Sequence, residues 1–219
     1  MTELLEQAKA YLDANPELAT LELLSPDFNG ILRAKRIPRD EVETFFGKGL
    51  TGPGTTPTMN SLGEFCESIG VGTLDGDPDK GLHPVPGSLA PIPWLKSATH
   101  QALAHWTEMD GSPLDWNCRT ILAKSLQPLT DMGLKVVVAT ELEFYLLKDS
   151  QEATPQPRLG TILGTNLEQK GTQYCNPEDM AEYDDFLEAV RLACVAQNIP
   201  ATTAHLEFAP GQFEINLHH

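Results

Sequence analysis

The sequence predicts an α+β fold in two parts, and three observations support that prediction. A helical pattern at the N-terminus is followed by two short apolar runs separated by turn residues. A second helical pattern, over residues 119–132, leads through Gly133 into a long β-rich run. Near the end of the chain, two runs of alternating polar and apolar residues flank Pro210-Gly211. Helices that alternate with antiparallel hairpins in this way are typical of α+β proteins.

The first part begins with a helix and a hairpin. Residues 2–14 have apolar side chains at helical spacing, and the helix should end at Asn15-Pro16 because proline disfavours the helical conformation in the residue before it. Residues 18–24 and 31–37 are predicted to form antiparallel strands, since the segment between them contains Pro, Asn and Gly. A leading helix followed by a hairpin is the expected start of this part.

The rest of the first part is predicted to be mostly irregular. Residues 47–93 are rich in Gly and Pro and have little periodicity, which indicates loops with isolated short strands. Residues 98–109 form a strand-like run that ends at Asp110-Gly111. We therefore place a domain boundary near residue 112, with one domain over residues 1–112 and another over residues 113–219.

The second part should contain two helices, a strand and a hairpin. The helix over residues 119–132 is followed by Gly133 at a left-handed C-cap, and residues 135–147 are predicted to form one long strand. Residues 177–197 begin with proline and have an apolar face, which indicates a second helix. The alternating runs around Pro210-Gly211 then predict a final hairpin.

Composition excludes several classes of protein. The net charge is −16, so the chain would repel a nucleic-acid backbone. The four cysteines have no C-x-x-C spacing, which argues against a zinc cluster or a disulfide scaffold and favours reduced thiols. The sequence shows no secretory leader and no apolar run of about 20 residues that could span a membrane. We expect a cytoplasmic protein with no nucleic-acid or membrane partner.

Two carboxylates lie on one face of the strand predicted over residues 135–147. Side chains alternate along a strand, so Glu141 and Glu143 share a face with Val137 and Ala139. An ionised carboxylate without a partner in a core is costly. Either the strand is half-exposed and both glutamates face water, or a cation lies beside them.

The final hairpin adds further polar groups on one face. If Pro210-Gly211 were a two-residue loop, Glu207 and Glu214 would lie directly opposite each other and repel, unless the face is well solvated or binds a divalent cation. Proline followed by glycine fits a type II turn better than the usual hairpin turns, so the register stays open. The polar face comprises His205, Glu207, Gln212, Glu214 and Asn216.

At these residues the chain resembles the glutamine synthetase family, most closely the branch that joins glutamate to amines such as putrescine. The resemblance extends over nearly the whole chain, with Ala34 where the family usually has glycine. The matching motifs are Glu141-Leu142-Glu143-Phe144-Tyr145, Glu207, Pro210-Gly211-Gln212-Phe213-Glu214, the early segment from Asp27 to Pro38, Pro84-Val85-Pro86-Gly87-Ser88 and Asp110-Gly111.

The resemblance implies a fold and a site. The fold would be a β-grasp N-terminal domain followed by the first part of an α/β catalytic domain with a curved antiparallel sheet. Glu143, Glu207 and Glu214 would bind Mg²⁺ or Mn²⁺ beside the amino-acid substrate, and Glu141 would bind a second metal beside the phosphates of ATP. Three further residues are expected on the substrate side: His205, Tyr174 and Asn60, the last standing where the family often has an acidic residue facing the amine.

The resemblance also implies an activity. The protein would be an ATP-dependent ligase that joins glutamate to ammonia or a small amine through γ-glutamyl phosphate, in a homo-oligomer of stacked rings. The sequence stops at Leu217-His218-His219, before the family's histidine metal ligand, nucleotide loops and phosphate-binding arginines, so we expect a fragment with an incomplete site. The alternative hypothesis is a non-catalytic metal- or amine-binding homologue, or a regulatory fragment that assembles with a full-length ligase.

Overall fold

The computed structural model describes residues 2–72, 74–150 and 153–219. The chain divides into two compact units, Met1–Val136 and Val137–His219. Each unit has its own sheet and its own apolar core. No helix in the described ranges is long and apolar enough to cross a membrane.

The described residues of the first unit form three helices and six strands. The helices are α1 (Thr2–Ala14), α2 (Val42–Lys48) and α3 (Cys118–Asp131), with short 3-10 turns at Arg39–Glu41, Thr56–Thr58 and Glu67–Ile69. The strands are β1 (Thr20–Pro26), β2 (Leu32–Pro38), β3 (Leu50–Pro53), β4 (Asp79–Pro84), β5 (Ala90–Pro91) and β6 (Thr99–Thr107).

The sheet of the first unit is mixed. Its strand order is β2-β1-β6-β4-β3, with β5 paired to β6 off this path. The hairpin β1–β2 is antiparallel, whereas β1 and β6 run parallel from the pair Thr20 and Thr99. Parallel neighbours require a crossover, and here the intervening chain, including α2, β3 and β4, supplies it.

Hydrogen bonds from Arg39 and from Trp106 join separate elements of the first unit. Arg39 donates hydrogen bonds to the carbonyl oxygens of Leu12, Asn15 and Leu18, which satisfies the C-terminal end of α1 and the segment after it. In the core, the buried Trp106 indole donates to Ser25 Oγ at 2.6 Å. Both contacts lie beside the buried apolar cluster that joins α1, α2 and the sheet.

Outside residues 151 and 152, the second unit has a three-stranded antiparallel sheet and two helices. Its strands are β7 (Thr140–Tyr145), β8 (Ala201–Leu206) and β9 (Gln212–Leu217), in the order β7-β9-β8. The helices are α4 (Pro177–Ala181) and α5 (Asp184–Ala196). The core comprises Tyr183, Leu206 and Phe213, with Phe144, Leu146, Met180, Phe186 and Leu187 packed around them.

Several predicted elements are confirmed. The leading helix, the hairpin at Thr20–Pro38, the strand Thr99–Thr107, the helix Cys118–Asp131 and the final hairpin all form. Gly133 has the expected positive φ of 74° after the helix. The segment over residues 47–93 is mostly loop with short strands, as predicted.

Two predicted elements are wrong in extent, and one helix was not predicted. The strand expected over residues 135–147 covers only Thr140–Tyr145, because its partner β9 ends at Leu217, opposite Thr140, and begins opposite Tyr145. The helix expected over residues 177–197 is interrupted at Tyr183, whose buried ring contacts Phe213 and whose hydroxyl donates to the Arg158 carbonyl. The unpredicted helix is α2, which buries Val42, Phe45 and Phe46.

Candidate functional site

One face of the second unit's sheet is polar, and strand register brings its side chains together. Glu143 on β7 lies directly opposite Glu214 on β9, and Glu214 lies opposite His205 on β8. Glu141 is paired with Asn216 in the same way. The opposite face carries the apolar core, so the predicted alternation of polar and apolar residues in the hairpin is confirmed.

The turn before β9 has four residues, Phe208 to Gly211, and corrects the predicted facing pair. The Gln212 N–H donates to the Ala209 carbonyl at 3.0 Å, and Gly211 has a φ of +80°, as expected for proline and glycine at the centre of a type II turn. The Glu207 N–H donates to the Gln212 carbonyl, so Glu207 lies across from Gln212. The two-residue loop that would place Glu207 opposite Glu214 is therefore wrong.

Three potential ligands nevertheless converge. One atom each from His205, Glu207 and Glu214 lies within 4.8 Å of the others. The His205 Nε2 is 3.0 Å from Glu207 Oε1 and 3.8 Å from Glu214 Oε2. Two carboxylates and an imidazole form a donor set that suits a divalent cation such as Mg²⁺ or Mn²⁺, with the nitrogen favouring Mn²⁺.

The carboxylates of Glu141 and Glu143 are held by side-chain amides. The Gln212 amide donates to Glu143 Oε2 at 2.8 Å. The Asn216 amide donates to Glu141 Oε1 at 3.2 Å and to Glu214 Oε1 at 2.7 Å. Glu141 and Glu143 are both exposed, and their place at a metal stays a prediction.

Nearby hydrogen bonds favour the negatively charged form of the Glu207 carboxylate. The pKa of Glu207 is lowered, first by the Phe208 backbone N–H that donates to its carboxylate at 3.2 Å and then by His205 and Glu214. Glu214 is only 9% exposed, which places a carboxylate at the buried side of the cluster. A buried carboxylate beside a second one favours a cation or a positively charged substrate group.

Tyr174 adjoins this cluster. Its ring lies edge-on to His205, with centroids 6.0 Å apart, and stacks on Phe208 at 4.8 Å. Its pKa is raised, first by the neighbouring Cys175 and next by the charge of Glu207. Its role toward a substrate stays a prediction.

Asn60 lies in the first unit and has local partners. Its side-chain oxygen accepts hydrogen bonds from the Leu62 and Glu64 N–H groups at 2.9 Å, and its amide donates to the Glu64 carboxylate at 2.8 Å. These bonds stabilise a turn. Its expected place near an amine also stays a prediction.

Sequence reasoning missed the roles of Gln212, Asn216 and Phe208. Gln212 and Asn216 flank Glu214 at two-residue spacing, which puts all three on one face of β9. That spacing was visible, but the hydrogen bonds from Gln212 to Glu143 and from Asn216 to Glu141 depend on the register between β7 and β9, which the spacing does not show. Phe208 alternates with Glu207 and was expected on the opposite, apolar face; instead it lies in the turn and is exposed.

Comparisons with known proteins point to one family. Residues 115–219 match the family described as "Glutamine synthetase, catalytic domain". Gamma-glutamylputrescine synthetase PuuA of Escherichia coli (strain K12) is 35% identical over 98% of this chain and 45% of the relative. Glutamate--isopropylamine ligase of Pseudomonas sp is 29% identical over 90% of this chain and 43% of the relative.

Solved structures share the fold. A structure described as "GmaS/ADP complex-Conformation 1" superposes with a TM-score of 0.71 at 18% identity, covering 100% of this chain and 44% of that one. The chain thus spans about half the length of the relatives that it matches.

Proposed function

The chain belongs to the glutamine synthetase family, and we propose from this that it contributes to an ATP-dependent ligase that joins glutamate to ammonia or an amine. The observation that supports the proposal most is the convergence of His205, Glu207 and Glu214 on one sheet face, with Glu143 directly across from Glu214. Carboxylates from β7, from β9 and from the residue that follows β8 lie on this face with the His205 imidazole, and carboxylate oxygens are ligands that suit a divalent metal.

We assign the metal ligands as follows. Glu143, Glu207 and Glu214 would hold Mg²⁺ or Mn²⁺ beside the glutamate substrate, and Glu141 would contribute to a second metal beside the ATP phosphates. The donor chemistry fits, because these side chains supply hard oxygen ligands. When bound, the metals would reduce the repulsion between the substrate carboxylate and the polyphosphate.

The reaction has two steps. The γ-carboxylate of glutamate attacks the terminal phosphoryl group of ATP, which releases ADP and leaves γ-glutamyl phosphate; the amine then displaces phosphate. This chain's residues would position substrates and stabilise charge. The Phe208 N–H lowers the pKa of Glu207, which favours the anionic carboxylate that a metal ligand requires. His205 would line the pocket beside it.

Other properties belong to the same proposal. The strand order β2-β1-β6-β4-β3, with its central parallel pair, supports a β-grasp fold for the N-terminal region. The family match that begins at residue 115 supports a domain boundary near residue 112. A homo-oligomer of stacked rings and a cytoplasmic location are predictions from the family resemblance and the reduced cysteines.

Two curated relatives are named for putrescine and isopropylamine, which supports an amine in place of ammonia. If Asn60 lies at the amine site, the lost negative charge would weaken attraction for a cationic amine and favour one that binds through other contacts. The alternative function is a non-catalytic homologue that binds metal or amine, or that assembles with a full-length ligase. Such a homologue would not release phosphate from ATP, whereas the ligase would.

Phosphate release from ATP tests the proposal. The natural protein that contains this chain should release phosphate with glutamate, Mg²⁺ and at least one of ammonia, putrescine or isopropylamine. Glu214→Gln should lower the rate at least about 100-fold, since it removes a metal carboxylate. Glu188→Gln is the matched control, because Glu188 is an exposed glutamate of the same unit whose partner is Arg191. No turnover with any amine would overturn the proposal and favour the non-catalytic homologue.

A further inference from the structure

Two histidines face each other on neighbouring strands of the first unit's sheet. His83 on β4 is directly paired with His105 on β6. Their ring centroids are 6.0 Å apart, and the ring planes are inclined by 42°. The adjacent Leu82 and Trp106 belong to the apolar core, so alternation along the strands places both imidazoles on the other face of the sheet. We call these two residues the histidine pair.

The sheet backbone holds the histidine pair at this separation. β4 and β6 are antiparallel here, and two residues further along the Val85 N–H donates to the Leu103 carbonyl at 2.8 Å. Two imidazoles that bind one metal ion have ring centroids about 5–6 Å apart, because each ligating nitrogen lies about 2.1 Å from the ion. The strands therefore present both rings at a spacing that one ion can bridge.

Two glycines make room for the His83 ring. A Cβ on Gly49 would lie 2.6 Å from His83 Nδ1, and a Cβ on Gly81 would lie 2.8 Å from His83 Nε2. A larger residue at either position would displace the ring. In the described part of the chain, neither ring nitrogen of His83 has a hydrogen-bond partner, and burial is the cause of its lowered pKa. The ring is thus confined by packing, and no hydrogen bond competes for its nitrogens.

Burial favours the form of the histidine pair that binds metals. It is the first cause that lowers the pKa of both rings, and the charges of His83 and Arg119 lower the pKa of His105 further. A neutral imidazole has a free lone pair, which a metal ion requires. A hydrogen bond to the His83 backbone acts on the pKa of His105 in the opposite direction. That bond uses one nitrogen and leaves the other for a metal, an arrangement common in metal-ligating histidines.

A cavity of about 290 Å³ borders both rings. Water in such a space can supply the further ligands of an ion that the protein holds by two nitrogens. Within the described residues no carboxylate lines this cavity, so it disfavours hard ions such as Mg²⁺. Lys48 also lines it but is exposed, so its ammonium group can stay in water.

We propose that His83 and His105 form a two-imidazole site for a late first-row divalent ion such as Ni²⁺, Cu²⁺ or Zn²⁺. Imidazole nitrogen suits these ions, whereas Mg²⁺ requires oxygen ligands. The bound ion joins β4 to β6 and stabilises the first unit, because the two ligands are this close only in the folded chain. The site consists of residues of the first unit alone and does not depend on the proposed ligase function.

Urea unfolding followed by tryptophan fluorescence tests the site, because Trp94, Trp106 and Trp116 all lie in the first unit. The 219-residue chain is unfolded in EDTA, in Mg²⁺ and in Ni²⁺. Ni²⁺ is chosen because Zn²⁺ has a stronger preference for the thiolates of an unfolded chain. At about 100 times its Kd, Ni²⁺ should raise the folding equilibrium constant about 100-fold, whereas Mg²⁺ should change it less than about twofold.

Four variants locate the effect. His83→Gln and His105→Gln each remove one ligand, and each should abolish the shift that Ni²⁺ produces. His205→Gln is the matched control, because His205 is also a half-buried strand histidine but belongs to the second unit. It should keep the shift, as should a chain in which His218 and His219 are both replaced by Gln.

A second measurement needs no variant. In the chain labelled with ¹⁵N-histidine, Ni²⁺ should broaden the ring signals of His83 and His105 before that of His100. The His100 ring is buried, and its Nδ1 is 2.7 Å from the Tyr11 hydroxyl, so it is not available to a metal. The urea midpoint in EDTA shows whether each variant keeps its fold.

Several results would overturn the site. A Ni²⁺ shift that both His83→Gln and His105→Gln retain would do so, as would a shift that Mg²⁺ reproduces or that His205→Gln abolishes. Broadening confined to the other histidines would show that Ni²⁺ binds elsewhere. If a variant is unfolded in EDTA, the order of broadening in the unchanged chain decides. None of these results bears on the release of phosphate from ATP, which tests the ligase function separately.

Discussion

Asn216→Asp is the change that tests how the carboxylate face is held together. The Asn216 amide donates to both Glu141 and Glu214, while its oxygen accepts from the Thr203 hydroxyl at 2.5 Å. Aspartate has nearly the same shape, so packing is unchanged. It replaces a donor that joins two carboxylates with a third carboxylate.

The expected cost follows from these contacts. A hydrogen bond to a charged group contributes about 1.5–3 kcal/mol, and the low end applies here because Glu141 is exposed and Asn216 is half-buried. Like charges about 4 Å apart in water add about 1 kcal/mol of repulsion. Without metal, the loss of two such bonds and the added repulsion should therefore cost the second unit about 4 kcal/mol of stability. With Mn²⁺, the new carboxylate becomes a potential ligand, and the deficit should shrink by at least half.

The assay must report on the second unit. The protein's three tryptophans, Trp94, Trp106 and Trp116, all lie in the first unit, so indole fluorescence would miss the effect. Hydrogen exchange of the β9 amides in EDTA and in Mn²⁺ measures it directly. Asn176→Asp is the control, because Asn176 caps α4 and aspartate caps a helix equally well. A deficit under 0.5 kcal/mol in EDTA, or an equal deficit in Mn²⁺, would refute the reasoning.

Three further changes have defined outcomes. Asp27→Ala removes the acceptor for Arg33 and for two turn N–H groups, and urea unfolding followed by tryptophan fluorescence should show a loss of about 2–4 kcal/mol. Burial raises the pKa of Asp27, but its hydrogen bonds outweigh this and lower it. The loss should thus be complete above the unfolded value of about 3.9 and should vanish as the pH falls through the lower folded value. Gly211→Ala should cost at least about 1–2 kcal/mol in β9 exchange, because φ is +80° and a Cβ would lie 2.9 Å from the Arg158 carbonyl oxygen. Tyr183→Phe removes the hydrogen bond to that carbonyl and should cost about 1 kcal/mol by the same measurement.

Each of these has a result that contradicts it. Asp27→Asn keeps an acceptor for the turn N–H groups, so a loss as large as that of Asp27→Ala would show that the turn bonds contribute little. Gly164→Ala is the comparison for Gly211→Ala, because Gly164 lies in the same unit and also has positive φ but no atom within 4 Å of a Cβ. Equal losses at both glycines would rule out the close approach to Arg158. If Tyr183→Phe leaves the hydrogen exchange of β9 unchanged, water replaces the Tyr183 hydroxyl as the donor to the Arg158 carbonyl.

Elements that depend on neighbouring residues were predictable from the sequence. The hairpin Thr20–Pro38 formed as expected because its turn residues, especially Asp27, organise the chain locally through bonds to Asn29 and Ile31. The helix Cys118–Asp131 and the positive φ of Gly133 also follow from local pattern. The polar face around Glu214 was also predictable, because the alternation of polar and apolar residues along β9 is enough to assign its polar side chains to one face.

Distant contacts determined what the sequence could not show. The turn at Pro210-Gly211 has four residues in place of two because the buried Gln173 binds the carbonyls on both sides of it. That contact spans almost 40 positions in the chain, and it shifts the partner of Glu214 from Glu207 to His205. The break at Tyr183 likewise depends on Phe213 and Arg158. The periodicity of apolar residues in a sequence does not predict contacts between residues so far apart in the chain.

The carboxylates of the candidate centre are oriented before any cation binds, because each uses its two oxygens differently. Glu207 accepts the Phe208 N–H at Oε2 and turns Oε1 toward His205. Glu214 accepts the Asn216 amide at Oε1 and turns Oε2 toward the same ring. One oxygen of each group therefore fixes the side chain and the other faces the shared centre, which is how supporting hydrogen bonds prepare a metal site. The amides of Gln212 and Asn216 also offset part of the repulsion between Glu143 and Glu214, which face each other across β7 and β9.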